Sequence, residues 1–298
     1  GDVRNPLGEE NMRGPHTILL AGCKNMVMCD FKVRRSANYA FLAYCLDKST
    51  FSNIRVEGGW DGIHIRGGHD LIIKGCRLHT GDDAIAGGYW KRMKITHCVL
   101  NSSCNGIRMI MPSIDLEIAD CDILGPGQFE HITSQRTRSE NAINIEPGAW
   151  GKAPGHLDRI FIRRCSIRSV LSPLCVTIGD DNSCGKIVVE DMTARDVTRM
   201  ALSVKSWGEA PTDKVILRNC DLEFEGIDDP SLPTWFDDKP TSVWPVFPCW
   251  GMFFRNVRVV KVHNVTLRVK GGEYRKAYMC QNVDEENLAK GASVVKAR

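Results

Sequence analysis

The stretch DGIHIRGGHDLIIKGCRLHTGDDAIAGGYWKRMKITHC, residues 61–98, contains one pattern twice, with the two copies 22 residues apart. In it, LIIKGC (71–76) and MKITHC (93–98) share apolar residues at alternate positions and a final cysteine. Alternation with period two is typical of a β-strand, whose successive side chains point to opposite faces. Because similar strands that repeat every 20 to 50 residues or so are typical of a solenoid, this repeat decides the fold class.

The same six-residue pattern recurs along most of the chain. The further copies are MVMCDF (26–31), STFSNI (49–54), LEIADC (116–121), IFIRRC (160–165), IVVEDM (187–192), VILRNC (215–220) and VKVHNV (260–265). The first intervals between copies are 23, 22, 22 and 23 residues, and later ones are longer. The sixth position predicts one interior stack through consecutive coils, where a free cysteine behaves as a small apolar residue. Its members are Phe31, Ile54, Cys76, Cys98, Cys121, Cys165, Met192, Cys220 and Val265.

A second strand series lies between these copies. It comprises DGIHIR (61–66), DAIAGG (83–88), NGIRMI (105–110), NAINIE (141–146), LCVTIG (174–179) and MALSVK (200–205). The third position is predicted to be interior, while the fourth and sixth point outward. The interior residues would be Ile63, Ile85, Ile107, Ile143, Val176 and Leu202. Two such series, joined by Gly, Asn and Asp turns, predict a single-domain, all-β, right-handed parallel β-helix.

The predicted β-helix covers residues 17–272. Long loops leave it at 125–140 and 225–250, where the repeat interval lengthens, and such loops usually cluster on the working face of a solenoid. Residues 1–16 form a lead-in, and the lack of a capping segment there predicts further N-terminal residues. Residues 273–298 are expected to form a polar, partly helical tail without chemistry.

Composition excludes several classes of function. Of 298 residues, 39 are basic and 36 acidic, without a long block of one sign, so nucleic-acid binding is not favoured. No apolar run reaches the 18 to 20 or so residues of a membrane span. The first sixteen residues also lack the pattern of a signal peptide. The thirteen cysteines are odd in number and contain no CxxC pair, so neither zinc nor another cofactor is expected.

Three carboxylates are predicted to share one patch. Asp61 and Asp83 occupy the first position of neighbouring coils, which lie about 4.8 Å apart, and Asp82 adjoins them. Like charges this close raise at least one pKa, which keeps one carboxyl group protonated as an acid while a neighbour acts as a base. Such a pair catalyses inverting glycoside hydrolysis when a water fits between its members. The second GDD, with Asp180 and Asp181, follows its strand and is interpreted as a turn.

These residues resemble the polygalacturonases of glycoside hydrolase family 28. That family has Asn-Thr-Asp-Gly, Gly-Asp-Asp, Gly-His-Gly and Arg-Ile-Lys on successive coils. Gly59-Trp60-Asp61-Gly62 is similar to the first motif and Gly81-Asp82-Asp83 to the second. The resemblance extends from about Arg13 to Arg164. It implies that Asp82 is the general acid, and that Asp61 and Asp83 hold and deprotonate the attacking water.

The second half of the family pattern is absent. Cys104-Asn105-Gly106 replaces Gly-His-Gly, and Asn144-Ile145-Glu146 replaces Arg-Ile-Lys, whose cations bind galacturonate in the family. Candidate substrate contacts on the same face are Arg108 foremost, then Asn105, His64, Arg66, Asn144 and Glu146. Lys205 resembles the lost lysine in local sequence but follows it by two coils, so it is not favoured.

Aromatic residues near the patch are candidates for stacking on sugar rings, although each also fits ordinary packing at the coil edge. Trp90 is the preferred substrate contact, and the others are Trp60, Tyr89, Trp150 and, in the late loop, Trp235, Trp244 and Trp250. The substrate is expected to be a pectic or related cell-wall polysaccharide other than plain polygalacturonate. The protein is expected to be a monomer, secreted or periplasmic, without a membrane or nucleic-acid partner.

Two alternatives remain open at the level of sequence. A β-helix polysaccharide lyase or epimerase also uses acidic clusters, commonly with Ca²⁺, and needs a basic residue such as Arg66 or Arg108. A non-catalytic carbohydrate-binding β-helix is the other alternative, because the family's His, Arg and Lys are missing.

Overall fold

The computed structural model describes residues 13–231 and 247–297, which form a right-handed parallel β-helix. The first coils contain β1 (Ile18–Ala21), β2 (Val27–Cys29), β3 (Lys32–Arg34), β4 (Phe41–Asp47), β5 (Thr50–Ser52), β6 (Arg55–Glu57), β7 (Ile63–Lys74) and β8 (Arg77–Thr80). The middle coils contain β9 (Ile85–Thr96), β10 (Val99–Ser102), β11 (Asn105–Met109), β12 (Ile114–Ala119), β13 (Asp122–Leu124), β14 (Asn141–Ile145), β15 (Gly155–Arg163) and β16 (Ser166–Arg168).

The last coils contain β17 (Ser172–Ile178), β18 (Asn182–Glu190), β19 (Thr193–Val197), β20 (Leu202–Ser206), β21 (Thr212–Glu225), β22 (Cys249–Lys270), β23 (Lys276–Glu286) and β24 (Ala292–Ala297). A short helix, α1 (Leu288–Gly291), connects the last two strands. Nowhere in the described ranges does a helix have the length and apolar content that crossing a membrane requires.

The described strands form three parallel sheets, whereas the repeat predicted two. The first sheet contains the second strand series, from β1 through β4, β7, β9, β11, β14, β17 and β20 to β22. The second sheet contains the LIIKGC series. The third is built from short strands such as β3, β6, β8 and β10, which were interpreted as turns. With about one interior residue each, they are too short to show an alternating pattern.

A single residue turns the chain from the second sheet into the third. It is the fifth position of the six-residue pattern, directly before the interior stack, and its φ lies between 48° and 63° in every described copy. Asn, Asp and Gly tolerate this left-handed conformation best and are common at this position. The residues are Asp30, Asn53, Gly75, His97, Asp120, Arg164, Asp191, Asn219 and Asn264. The repeat therefore encodes each corner of the coil as well as its strands.

The predicted interior stack is confirmed. From Ile54 to Val265 its members are at most 2% exposed, and Phe31 in the first coil packs against them while partly exposed. The stacked thiols contact backbone carbonyls only weakly, as between Cys121 Sγ and Ala119 O at 3.2 Å. The five cysteines of the stack are free and buried, as apolar packing requires.

The third position of the second series is also interior, with one correction. Ile63, Ile85 and Ile107 stack in register, but the next coils pair Ile143 with Leu174 rather than with Val176. The predicted alignment was therefore wrong by two residues. Because strand side chains alternate with period two, this shift keeps every residue on its predicted face.

The C-terminal segment is part of the β-helix rather than a polar tail. Strand β23 pairs with the first half of β22, and β24 pairs with its end. Only Leu288–Gly291 are helical, and Leu288 is buried. The segment looked like a tail because its strands cover the last coil and expose most of their side chains to water.

The loop at 125–140 folds back over the coil edge. Its start is held by Asn101, whose amide nitrogen donates to Leu124 O at 2.9 Å and Pro126 O at 2.8 Å. The Gln128 backbone N–H donates to the Asn101 side-chain oxygen at 2.7 Å. The loop at 225–250 begins at the end of β21 and re-enters at β22, and its residues 232–246, including Trp235 and Trp244, lie outside the described residues.

Two adjacent isoleucines in β7 point to opposite faces of the sheet, and substituting each one tests this assignment. Ile73 is fully buried and Ile72 is 36% exposed. We expect Ile73→Ala to lower the free energy of unfolding by about 2–5 kcal/mol, because it leaves a cavity in the core. The matched change Ile72→Ala should cost less than about 1 kcal/mol. Urea denaturation measures both, and equal losses would contradict the assigned faces.

Candidate functional site

A cleft of about 970 Å³ runs across the outward face of the first sheet. Asp61, Asp82 and Asp83 all line it, as do residues from the outward positions of the following coils. Its walls are formed by Arg13 and His16 at the end of the lead-in, by residues of the 125–140 loop and by Phe247. The strands thus present polar side chains to a concave surface that loops enclose.

Register brings the three aspartates together. The Gly62 N–H donates to Asp83 O at 2.9 Å, which sets Asp61 beside Asp83 on the neighbouring coil. Asp82 occupies the turn just before Asp83. The 125–140 loop packs directly on this turn, since a Cβ at Gly81 would lie 2.6 Å from the backbone oxygen of Glu130.

Asp83 is held by the coil that follows it. Its Oδ1 accepts hydrogen bonds from the Asn105 backbone N–H at 3.1 Å and from the Asn105 side chain at 2.7 Å. Arg108 lies 3.9 Å from its other oxygen. Asn105 is fully buried and does not line the cleft, so it contacts the aspartate rather than a substrate, which corrects the sequence-based expectation.

Asp61 accepts a hydrogen bond from a buried histidine. Nδ1 of His64 lies 2.6 Å from Asp61 Oδ2, and Arg66 Nε donates to His64 Nε2 at 3.1 Å. Because a guanidinium only donates, Nε2 accepts and the ring proton lies on Nδ1, directed at Asp61. Burial, and then the charge of Arg66, lowers the pKa of His64 to about 3, so the ring is neutral. Tyr39 stacks on it at 4.8 Å.

Asp82 differs from its two neighbours. Among the described residues, none donates a hydrogen bond to its carboxyl oxygens, and its side chain is 14% exposed to the cleft. Burial, and then repulsion from Asp61 and Asp83, raises its pKa well above the ordinary value. Burial and Asp83 also raise the pKa of Asp61, but the hydrogen bond from His64 favours the ionised form of that group. The proton that relieves the repulsion therefore belongs on Asp82.

The 125–140 loop supplies a second histidine, which the sequence did not single out. Nε2 of His131 lies 3.8 Å from Asp82 Oδ2. Its Nδ1 accepts hydrogen bonds from Ser134, including the backbone N–H at 3.3 Å. A neutral His131 therefore carries its proton on Nε2, facing the aspartate. The separation exceeds hydrogen-bond length, and such contacts often shorten when substrate binds.

Five of the predicted substrate contacts lie where the sequence predicted them, in the cleft. His64, Arg66, Arg108, Asn144 and Glu146 all line the cleft. On its floor, the Arg108 Nε, the Asn141 Oδ1 and the Asn144 Oδ1 are buried polar atoms without hydrogen-bond partners among the described residues. Arg108 and Asn144 are paired residues of neighbouring coils, and both line the cleft.

Most of the aromatic candidates do not reach the cleft. Trp90 is 1% exposed in the core, where its Nε1 donates to Ile65 O at 2.9 Å, so the expectation of a substrate contact there is wrong. Trp60 is equally buried, and Trp250 packs against Phe224 inside the coil. Trp150 does line the cleft, 68% exposed, with the Arg108 guanidinium 5.5 Å from its ring centre.

Several further cleft residues were not predicted as site residues. They are Arg13, His16, Tyr39, His131, Arg136, Glu140 and Lys205. Most stand outside the repeat, in the lead-in and the 125–140 loop, so the 22-residue period contains no signal for them. Glu140 is notable because burial raises its pKa to about 7 while Arg136 lies 2.9 Å from it.

Among the described residues, two groups of side chains are close enough to bind a metal ion. Asp82, Asp83 and Cys104 bring their ligand atoms within 4.8 Å of one another, and so do Asp47, His69 and Asp70 on the surface. Burial, and then Asp83, raises the pKa of Cys104, and its thiol donates to Glu140 at 3.5 Å. A protonated thiol is a poor ligand.

In the surface group, Arg92 binds both oxygens of Asp70, at 2.6 and 2.7 Å. A guanidinium therefore already occupies the place of a cation in the surface group. In the other group, the protonated thiol of Cys104 disfavours a metal ion.

Comparison with known proteins supports the fold. No protein-family model matches the chain, and no curated protein matches its sequence. Among solved structures, the chain is similar to a family 28 exopolygalacturonase from Yersinia enterocolitica, with a TM-score of 0.51 and 11% sequence identity. The match covers 86% of this chain and 46% of the enzyme, so the chain spans less than half of that enzyme's length. At this identity the likeness shows the fold alone.

The hydrogen bonds around His64 lead to a spectroscopic prediction. Nitrogen-15 NMR of the imidazole should show a protonated Nδ1 and an unprotonated Nε2 from pH 8 to pH 5, because the pKa of His64 is about 3. Arg66→Met should raise this pKa, since it removes a positive charge 3.1 Å from Nε2. Protonation of His64 with a midpoint near its ordinary value of about 6.5 in the unmodified protein would contradict the assignment.

Proposed function

We propose that the protein is a glycoside hydrolase that cleaves a pectic or related polysaccharide or oligosaccharide with inversion at the anomeric carbon. The observation that carries the proposal is the unequal hydrogen bonding of three clustered carboxyl groups. Asp61 accepts a hydrogen bond from His64 and Asp83 accepts two from Asn105, while the carboxyl group of Asp82 receives none from the described residues. A protonated acid beside ionised bases is the arrangement that hydrolysis of a glycosidic bond requires.

In the proposed reaction, Asp82 donates its proton to the glycosidic oxygen as the bond from that oxygen to the anomeric carbon breaks. Asp61 and Asp83 hold a water molecule and take one of its protons as its oxygen attacks the same carbon from the opposite side. The atoms balance, since one proton leaves the enzyme on the leaving sugar and one returns from water. The fold shared with a family 28 exopolygalacturonase is consistent with this assignment.

His131 takes the place of the histidine that the family pattern has and this chain lacks. It comes from a loop rather than from the third coil, and its Nε2 lies near the carboxyl group of the proposed acid. After proton donation, an Nε2–H directed at Asp82 would stabilise the carboxylate that forms. His131 is therefore a positioning residue for the acid.

The substrate next to the cleaved bond is proposed to carry no carboxylate that approaches Asn144 and Glu146. A uronate at that point would face Glu146 and lose charge-assisted hydrogen bonds of about 1.5–3 kcal/mol each. Arg108 is the neighbouring cation, but its guanidinium already faces Asp83. Plain polygalacturonate is accordingly a poor fit, and a neutral sugar fits better at this subsite.

The alternative of a lyase or epimerase needs a basic side chain that loses its proton. Although burial lowers it, the carboxylates around Arg108, Asp83 first, raise the pKa of this residue above the ordinary value, so it stays charged. The charged Arg66 donates to His64 and is engaged there. Elimination would also leave an unsaturated, ultraviolet-absorbing product, which separates the two reactions directly.

The first test concerns the acid. Asp82→Asn should lower the rate on an unactivated oligosaccharide by about 10² to 10⁴, because an amide keeps the shape of the carboxyl group but cannot protonate the leaving oxygen. The matched control is Asp181→Asn, in the second GDD motif, where the side chain is 53% exposed and does not line the cleft. The control should keep full activity.

Rates are measured on a panel of defined neutral and acidic oligosaccharides. If Asp82→Asn keeps more than about a tenth of the original rate, Asp82 is not the general acid. If no oligosaccharide of the panel is cleaved but some bind, the protein is a binding β-helix and the hydrolase proposal fails.

The second test concerns stereochemistry. Proton NMR during the first minutes of hydrolysis should show the new reducing end with inverted anomeric configuration, since Asp61 and Asp83 act on water rather than on carbon. A glycosyl adduct trapped on either aspartate would overturn the proposed mechanism in favour of a retaining one.

A further inference from the structure

Lys205 is a buried cation without an anionic partner among the described residues. It follows the interior residue Val204 in β20 and is only 3% exposed, yet it lines the cleft. Its Nζ contacts the Cys175 Sγ at 3.2 Å and lies 5.1 Å from the centre of the Phe247 ring. In residues 13–231 and 247–297, no carboxylate oxygen lies within 4.0 Å of this nitrogen.

A lysine in these surroundings is costly unless an anion joins it. A buried charge needs a hydrogen-bonded partner of opposite sign to offset the loss of its hydration. A thiol is a weak acceptor, and one aromatic ring offsets only part of the loss. In the part of the chain that the structure describes, the surroundings of Lys205 therefore lack a negative group, and the cleft is the side from which one can enter.

The register shows where this cation lies relative to the carboxylates. Lys205 pairs with Thr177, which is one residue beyond the pair formed by Val176 and Ile145, so Lys205 continues the outward row that contains Glu146. It is four coils beyond Asp83, or about 19 Å along the axis at the usual strand spacing of parallel sheets. Several sugar units would span that distance.

The wall beside Lys205 is held in place without a ligand. The Arg275 guanidinium donates to Phe247 O at 3.3 Å and pairs with Glu273 at 2.6 Å, and both members of this ion pair are at most 3% exposed. Glu273 also accepts the Ile227 backbone N–H at 3.1 Å. One buried ion pair thus binds both described ends of the 225–250 loop and fixes the ring over the Lys205 nitrogen.

We propose that Lys205 forms a remote subsite for an anionic substituent, a carboxylate or a sulfate ester, on a sugar several units from the cleaved bond. The inference rests on the proposed function, because it assumes that the cleft holds an extended oligosaccharide. It gives the substrate a charge pattern, neutral beside Asn144 and Glu146 and anionic at Lys205. Such a substrate is a mostly neutral chain with a single acidic unit.

The test measures binding and turnover separately. Binding is measured by calorimetry in the Asp82→Asn background, with tetrasaccharides and pentasaccharides that carry one uronate at either end, their carboxyl-reduced counterparts, and the equivalent sulfate esters. Each is tested with Lys205 intact, with Lys205→Met and with Lys205→Arg, and Lys94→Met serves as an exposed-lysine control. Turnover of the same sugars is measured with Asp82 intact.

We expect a charged ligand to bind about tenfold or more tightly than its reduced counterpart, with an advantage that falls as salt rises. Lys205→Met should abolish this advantage and leave the affinity for the neutral ligand unchanged, while Lys205→Arg should keep most of it and Lys94→Met all of it. The comparison of uronates with sulfate esters identifies which anion the subsite prefers.

Equal affinity for charged and reduced ligands, or an equal loss of both in Lys205→Met, would refute the subsite. Hydrolysis without a charge preference would leave the proposed hydrolase standing and remove the subsite alone. Charge-dependent binding through Lys205 without cleavage of any ligand would support the subsite and refute the hydrolase. The arginine variant, which keeps the charge, covers the case in which Lys205→Met does not fold.

Discussion

The in-register pairing of parallel coils is the constraint on which the rest of this structure depends. Each residue lies about 4.8 Å from its equivalent on the next coil, so like stacks on like. In the core this stacking is energetically favourable, because Ile63, Ile85 and Ile107 form one apolar column. On the outward side the same rule sets Asp61 against Asp83, although two carboxylates repel each other. The core and the charged patch are therefore two results of one geometry.

The repulsion between the aspartates is contained by the residues around them. On the next coil the column continues with Asn105, an amide that donates to Asp83 instead of adding a third charge. Asp61 accepts a hydrogen bond from the Nδ1–H of His64, whose tautomer is fixed by the hydrogen bond from Arg66 to Nε2. Of the three carboxyl groups, that of Asp82 alone receives no hydrogen bond from the described residues, so no such bond offsets the burial and repulsion that raise its pKa. The raised pKa favours the protonated form of Asp82, which is what makes this residue the candidate general acid.

Much of the fold was predictable because its determinants repeat. The interior stack, both alternating strand series and the neighbouring positions of the aspartates follow from a 22-residue period that can be read without knowing any contact. Elements without a clear alternating pattern were missed, namely the short strands of the third sheet and the strands after Glu273. Trp90 was also misassigned, because the strand alternation is interrupted before it. Gly87 and Gly88 have positive φ, and the Trp90 ring lies in the core, where its Nε1 donates to Ile65 O.

The sequence by itself determined the coil, its interior column and the place of Asp61, Asp82 and Asp83, because these depend on spacing along the chain. Only the tertiary structure decided that His131 faces Asp82 and that Lys205 closes the far end of the same cleft. The path of a loop is set by contacts with distant segments, such as those of Asn101, and not by any period. The row of Lys205 follows from the repeat, since strand pairing keeps Leu202 in the predicted interior column. Its contacts with Cys175 and Phe247 come from other coils and follow from no period.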